Sequence, residues 1–133
     1  MKKLLVILFV MSIIFTGCTS MDKNDSGTKD TTYKKISVED AKAIIDSEDV
    51  IILDVRTQEE YNSGHIENAV LLPVTDIKAK ASETLPDKDA KILVYCRSGN
   101  RSGQACLILE TAGFSNLINV TGGMLAWQDR IKD

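Results

Sequence analysis

Basic residues are not in excess in this chain of 133 residues, which has 16 Lys and Arg against 19 Asp and Glu and a sequence pI of about 5.2. A protein that neutralises a phosphate backbone needs a basic surface, so we expect no nucleic-acid partner. Cysteine is also scarce, with three residues and no Cys-x-x-Cys pair, which argues against a dithiol redox protein. The remaining composition, 44% hydrophobic and 26% charged, is ordinary for one globular domain with a real core.

A long apolar run is missing too, because the stretch from Leu4 to Ile14 is too short to span a bilayer with ease. Lys2 and Lys3 precede this stretch, and Phe15-Thr16-Gly17-Cys18 follows it. The arrangement resembles a bacterial lipoprotein signal, in which a peptidase cuts before the cysteine and the cysteine is lipidated. Residues 1–17 are therefore predicted to be a signal peptide, with Cys18 as the lipidation site. The alternatives are an ordinary secretory signal and an uncleaved membrane anchor.

Residues 18–34 follow as the lipidated cysteine and a flexible tether, because Thr19 to Lys34 is polar and has almost no apolar residues to bury. Only Met21 and Tyr33 are candidate anchors for this segment. Without Lys2 and Lys3, 14 basic residues stand against 19 acidic ones, and the charge is near −5. Such an acidic body should not adhere to anionic lipid, so the acyl chains are expected to be the membrane anchor. We expect the protein on the outer face of the cell membrane, or on the outer membrane of a bacterium that has two.

Residues 35–133 alternate strand and helix patterns, which favours a parallel sheet covered on both faces. Short apolar or β-branched runs predict strands at 35–36, 50–53, 70–72, 92–95 and 117–120. Helices are predicted to open at Ser37, Thr57 and Asp76, after a polar loop at 97–101, and near Gly123. No internal repeat is present.

The loop after the fourth predicted strand contains the residues with the clearest chemical potential. Cys96 directly follows the apolar run from Ile92 to Tyr95, and a short polar loop with two arginines leads from it into a helix. A helix N-terminus and neighbouring cations lower the pKa of a cysteine from about 8.5 to about 3.5–7.5. Cys96 is therefore expected to be a thiolate nucleophile at neutral pH. Cys106 lies on the apolar stripe of the following helix and is predicted to be buried and inert rather than a resolving thiol.

The sequence Cys96-Arg97-Ser98-Gly99-Asn100-Arg101-Ser102 resembles the active-site loop of the rhodanese family, whose members carry sulfane sulfur as a persulfide on the first loop residue. Similar motifs are Leu53-Asp54-Val55-Arg56, Glu59-Glu60-Tyr61 with Gly64-His65-Ile66 and Ala69, and Gly122-Gly123 with Trp127. The resemblance implies a single three-layer α/β/α domain over residues 35–133. Its five-stranded parallel sheet would have the order 3-2-4-5-1, which brings the ends of the second and fourth strands together at a ligand-binding crevice.

The resemblance also implies roles for the loop residues. Cys96 would be catalytic, and the substrate would bind to Arg97, Ser98, Gly99, Asn100, Arg101 and Ser102, with Asp54 and Arg56 in support. Arg97 and Arg101 are expected to lower the pKa of Cys96 and to hold an anionic donor. For Arg101, an inward pairing with a carboxylate, Glu60 or Asp54, carries the same weight as substrate contact. Gly99 and Asn100 are expected to tolerate positive φ. Asp54 is expected to accept loop N–H groups rather than to act as a general base.

A sulfurtransferase is the predicted function, with a small-molecule donor such as thiosulfate and a thiophilic acceptor such as cyanide or a thiol. We expect a monomer that uses no cofactor and no metal. A non-catalytic module that binds or senses sulfur compounds is one alternative. Another is a cysteine phosphatase or arsenate reductase, but those need five residues between cysteine and arginine, whereas four separate Cys96 from Arg101. A cysteine–histidine hydrolase would have to use His65, which instead looks like part of a turn, and Trp127 is predicted to pack in the core.

Overall fold

Strands and helices alternate through residues 32–131, the part of the chain that the computed structural model describes. The strands are β1 (Lys34–Ile36), β2 (Ile51–Asp54), β3 (Val70–Leu71), β4 (Ile92–Tyr95) and β5 (Leu117–Val120), and the helices are α1 (Val38–Ser47), α2 (Gln58–Asn62), α3 (Ile77–Thr84), α4 (Asn100–Thr111) and α5 (Gly123–Arg130). The predicted signal peptide, Cys18 and the tether up to residue 31 lie outside these described residues. None of the helices between residues 32 and 131 combines the length and apolar character that a membrane span requires.

The five strands form one parallel sheet in the order β1-β5-β4-β2-β3, which is the predicted order read from its other edge. β4 lies at the centre, where Tyr95 pairs with Asp54 of β2 and Val94 pairs with Asn119 of β5. The carboxyl ends of β2 and β4 are therefore neighbours. The predicted α/β fold class is confirmed, and the sequence that follows β4 emerges at the expected crevice.

Helices cover both faces of the sheet, and alternation along β4 assigns its side chains to two cores. Val94 and Cys96 pack with α3 and α4, whereas Leu93 and Tyr95 pack on the face covered by α1 and α5. Every residue of β4 is buried, as expected for a strand in the middle of a parallel sheet. The sulfur of Cys96 therefore faces α4, and the Tyr95 hydroxyl points to the opposite side of the sheet.

The start of the domain is earlier than the predicted boundary at residue 35. Lys34 already belongs to β1, and the partly buried ring of Tyr33 packs against the core beside α4. The predicted tether is therefore wrong for its last two residues, because Tyr33, one of the two candidate anchors of the segment, does pack against the core.

Candidate active site

Gly99 begins α4 without a capping side chain, and Cys96 uses the amides left free there. Ser37 and Thr57 cap α1 and α2 with their hydroxyls, but Gly99 has no side chain to do so. The Gly99 N–H instead donates to Cys96 Sγ at 3.0 Å. A sulfur placed this way substitutes for a capping oxygen, and it meets the positive end of the helix dipole. The loop thus stabilises a thiolate with backbone N–H donors rather than with a mobile cation.

The pKa of Cys96 reflects a balance between burial and these donors. The residue is 1% exposed, and burial alone would raise its pKa. The Ser102 hydroxyl and the amides of Ser102, Gly99 and Ser98 outweigh that effect, so the pKa falls below its ordinary value. The predicted direction is confirmed. Of the expected causes, the helix N-terminus and its loop amides account for the lowering, whereas the guanidinium groups of Arg97 and Arg101 are not among its largest contributions.

Glycine is required at two points where the loop turns. Gly99 has φ 110°, a conformation that residues with a Cβ rarely adopt. Asn100, in contrast, is the first helical residue of α4, so the tolerance of positive φ expected of it is not used. Gly123 has φ 52°, and a Cβ at that position would lie 2.3 Å from the carbonyl oxygen of Cys96.

The N-terminus of α5 holds the outer side of the same loop. The Met124 N–H donates to the Cys96 carbonyl at 2.8 Å, and the Leu125 N–H donates to the Arg97 carbonyl at 3.1 Å. These bonds turn the loop carbonyls toward α5, while the Gly99 amide points at the sulfur. Two helix N-termini without capping side chains, those of α4 and α5, therefore fix the loop from opposite sides.

Arg101 pairs with Glu60, one of the two carboxylates that the sequence left open. Its Nη1 and Nη2 each donate to one Glu60 oxygen at 2.7 Å, which makes a bidentate pair. Glu60 also receives the backbone N–H of Thr57 in the capping box of α2. Arg101 and then Thr57 hold the pKa of Glu60 at about 2, against burial. The guanidinium thus joins α2 to α4 and is occupied by a carboxylate.

Asp54 and Arg56 form a second, fully paired group at the end of β2. Arg56 donates to Asp54 through its backbone N–H and side chain, and its Nη2 also reaches the Gly64 carbonyl at 2.7 Å. Tyr95 donates its hydroxyl proton to Asp54 at 2.6 Å and accepts the Ile66 N–H. Burial and the bond to Asp54 raise the pKa of Tyr95. Asp54 is therefore an acceptor for fixed donors, as predicted, and its position gives no sign of a general base.

Arg97 is the exposed cation of the loop. It lines a cleft of about 170 Å³ with Arg56, Gly64, Met124, Leu125 and others. Because Asp54 neutralises Arg56 and Glu60 neutralises Arg101, Arg97 is the loop arginine best placed to meet an anion from solvent. Cys96 itself does not line this cleft.

The other singled-out residues lie apart from this chemistry. Cys106 is fully buried and not disulfide-bonded, and burial followed by Glu110 raises its pKa to about 12, which fits the predicted inert thiol. His65 is exposed, stacks on Tyr61 with ring centroids 3.7 Å apart, and places Nδ1 2.9 Å from the Tyr61 carbonyl. Trp127 is partly buried against the second core. Within residues 32–131, no three His, Cys, Asp or Glu side chains group as metal ligands.

Sequence reasoning missed Asn119 and the role of the Tyr95 hydroxyl. Asn119 is buried on β5 and binds both Ser102 and Gly99 of the loop. Tyr95 carries the polar side-chain group of the buried, otherwise apolar strand Ile92–Tyr95, and Asn119 carries that of Leu117–Val120. A buried polar group needs a hydrogen-bond partner, and that requirement could have identified both residues as members of the site.

Comparison with known proteins supports the resemblance that the sequence suggested. The family model described as Rhodanese-like domain matches residues 37–130. A sulfurtransferase of Allochromatium vinosum is 40% identical over 87 residues, covering 65% of this chain and 79% of the relative. The thiosulfate sulfurtransferase PspE of Escherichia coli is 36% identical over 70 residues, covering 53% of this chain and 67% of that protein. A crystal structure of a rhodanese-like domain protein from Staphylococcus aureus is 35% identical, with a TM-score of 0.64, and the match covers 75% of this chain and 96% of the other.

Proposed function

This chain belongs to the family of rhodanese-like domains, and on that premise we propose that it is a sulfurtransferase that carries sulfane sulfur as a persulfide on Cys96. The observation that carries the proposal is the sulfur at the N-terminus of α4, where backbone N–H groups and the Ser102 hydroxyl favour a thiolate. A thiolate is the nucleophilic form of cysteine. Its stabilisation by fixed donors prepares Cys96 to attack a sulfur atom.

The proposed reaction has two displacement steps and needs no external oxidant. With thiosulfate as donor, the Cys96 thiolate attacks the outer, sulfane sulfur. The S–S bond of thiosulfate breaks, sulfite leaves with the bonding electron pair, and Cys96 becomes a persulfide. An acceptor such as cyanide or a thiolate then attacks the terminal sulfur, the new S–S bond on Cys96 breaks, and the Cys96 thiolate is restored as the leaving group.

An anionic donor would meet Arg97 first. Arg97 is exposed, directly follows Cys96 in the chain and lines the cleft of about 170 Å³. It has no salt bridge to a carboxylate of the described residues, and a guanidinium fork matches the oxygens of an oxyanion. The name of the relative PspE, a thiosulfate sulfurtransferase, supports thiosulfate as the first donor to test. Arg101, which is bound to Glu60 on both of its terminal nitrogens, would instead hold the loop in shape.

Two features argue against phosphatase or arsenate reductase activity. Four residues separate Cys96 from Arg101, where those enzymes use five. Arg101 is also engaged by Glu60 and so is not free to bind a tetrahedral oxyanion. A non-catalytic sulfur-binding module would have little need for a nucleophile with a lowered pKa.

Mass spectrometry of the protein after thiosulfate treatment tests the proposal. One added sulfur atom is expected on Cys96, with thiocyanate formed when cyanide is added. Cys96→Ser should abolish both. The matched variant Cys106→Ala should retain both, because burial raises the pKa of Cys106 to about 12, whereas the loop donors lower that of Cys96. An adduct that survives Cys96→Ser, or disappears in Cys106→Ala, would contradict the assignment.

We also propose that Cys18 is lipidated and tethers the domain to the outer face of a membrane. The support lies in the sequence alone: a short apolar segment, small residues before Cys18, and an acidic body that anionic lipid would not attract. In a bacterium with two membranes, Thr19 after the lipidated cysteine favours the outer one, because the aspartate that resembles an inner-membrane retention signal is absent. Cys18→Ala should leave uncut precursor without lipid in a bacterial host. Normal processing and unchanged membrane binding of this variant would contradict the proposal.

A further inference from the structure

The Ser102 hydroxyl has one proton and three acceptors within reach. Its Oγ lies 2.6 Å from Asn119 Oδ1, 3.0 Å from the Gly99 carbonyl and 3.4 Å from Cys96 Sγ. A serine hydroxyl donates one hydrogen bond at a time. The three acceptors therefore compete for it, and the distance to Asn119 is the shortest of the three.

The orientation of Asn119 follows from its other contact. Asn119 Nδ2 lies 3.3 Å from the Gly99 carbonyl, which can only accept, so this end of the amide must be the donor. That places Oδ1 toward Ser102 as an acceptor. Asn119 is 4% exposed, so an Oδ1 without the Ser102 proton would be a buried acceptor without that hydrogen bond, which costs free energy.

We propose that Asn119 is a positioning residue that competes with Cys96 for the hydroxyl proton of Ser102 and thereby limits how strongly that hydroxyl stabilises the thiolate. When Cys96 is a thiolate, its negative charge draws the proton to Sγ. When Cys96 carries a persulfide, Sγ is neutral and a poor acceptor, and the proton returns to Asn119. The consequence for turnover rests on the proposed function. In the second step the Ser102 hydroxyl stabilises the Cys96 thiolate as it leaves, and in the first step the competition from Asn119 keeps that hydroxyl from stabilising the attacking thiolate fully. A less stabilised thiolate is the stronger nucleophile.

The charged groups around this cluster are few and mostly paired. Arg101 on α4 is held by Glu60, and Asp54 on β2 is held by Arg56. Arg97 is exposed in the loop, and the Tyr33 hydroxyl faces Gly103 from the side of β1. None of these side chains is an acceptor for the Ser102 hydroxyl, so the competition stays between Cys96, Gly99 and Asn119.

The test is the pH dependence of Cys96 alkylation by iodoacetamide, measured on the Cys96 peptide by mass spectrometry in the full chain. Asn119→Ala should lower the apparent pKa of Cys96 by about one unit, the size of one hydrogen bond to a charged group. The pKa of Cys96 should be the same in Ser102→Ala and in the double variant Ser102→Ala/Asn119→Ala. No shift with Ser102 present, or an equal shift in both backgrounds, would overturn the proposal.

Asn119→Asp distinguishes this competition from simple support of the loop. Aspartate has the size of asparagine and keeps an acceptor for Ser102, but it lacks the Nδ2 donor to Gly99 and adds negative charge. The apparent pKa of Cys96 should therefore rise in Asn119→Asp and fall in Asn119→Ala. Because the added charge raises the pKa of Cys96 by itself, the rise in Asn119→Asp should be larger with Ser102 present than in a Ser102→Ala background. An equal rise in both backgrounds would contradict the proposal. If Asn119→Ala fails to fold by circular dichroism, an unchanged or lowered pKa in Asn119→Asp is the contradicting result. Alkylation does not depend on sulfur transfer, so a shift without thiocyanate formation would count against the proposed function alone.

Discussion

Replacing Glu60 with glutamine removes the charge from the bidentate pair with Arg101 while keeping a side chain that can complete the capping box of α2. The pKa of Glu60 falls from 4.5 to about 2, first because of the Arg101 bond. Converted in full, that shift corresponds to roughly 3 kcal/mol of stability at neutral pH. The two side chains are 32% and 29% exposed, so solvent screening reduces the expected loss in Glu60→Gln to about 1–2 kcal/mol.

The sign of the pH dependence follows from the lowered pKa of Glu60. The stabilisation is complete above pH 4.5 and is lost as the pH falls toward about 2, where the folded protein also protonates Glu60. Urea unfolding should therefore show wild type more stable than Glu60→Gln at pH 7, with the difference shrinking between pH 4.5 and 2. Glu59→Gln is the matched control, because Glu59 is an exposed neighbour on the same helix and its loss should change little.

The same pair distinguishes support of the loop from contact with the donor. If Arg101 acts through Glu60, then Glu60→Gln, Arg101→Gln and the double variant should lose similar amounts of stability and of sulfur transfer, as expected of residues that act as a unit. The reasoning would be refuted if Arg101→Gln raised the KM for thiosulfate without loss of stability while Glu60→Gln remained fully active. That result would make Arg101 a donor-binding residue.

Two further predictions concern the shape of the loop. Gly123→Ala should abolish sulfur transfer and destabilise the protein, because its Cβ would lie 2.3 Å from the Cys96 carbonyl oxygen. Gly103→Ala is the control: its Cβ would have its nearest contacts at 3.4 and 3.5 Å, so this variant should fold and unfold in urea like wild type. Equal behaviour of the two variants would contradict the clash. Aryl phosphate turnover should stay at background because Glu60 occupies Arg101, and turnover that Cys96→Ser abolishes would show that the loop accepts a phosphate after all.

Local sequence signals predicted most of the fold because their causes are local. β4 and β5 have the predicted bounds, since short runs rich in β-branched and apolar residues favour buried strands. Ser37 and Thr57 begin their helices as hydroxyl caps, which depends on residues three positions away. The position of Cys96 between a strand and a helix N-terminus is likewise readable along the chain.

The hydrogen-bond and salt-bridge partners inside the site could not be predicted from local sequence signals. Both Glu60 and Asp54 are candidate acceptors for Arg101 in the sequence, and the choice depends on Arg56 and Tyr95 already occupying Asp54. Asn119 lies 17 residues after Ser102, yet the parallel pairing of β4 and β5 places it beneath the loop. Asn100 could tolerate positive φ but is helical, because Gly99 makes the turn by itself.

Sequence alone determined the order of strands and helices, the position of Cys96 and the length of the loop that follows it, because hydrophobic periodicity, capping and spacing act over a few neighbouring residues. Only the tertiary structure decided which donors reach the sulfur, which carboxylate holds Arg101 and which acceptors lie around the Ser102 hydroxyl. Those choices depend on strand register and on the packing of α4 and α5 against the sheet. They bring together residues far apart in the chain whose hydrogen-bonding groups must be satisfied once they are buried.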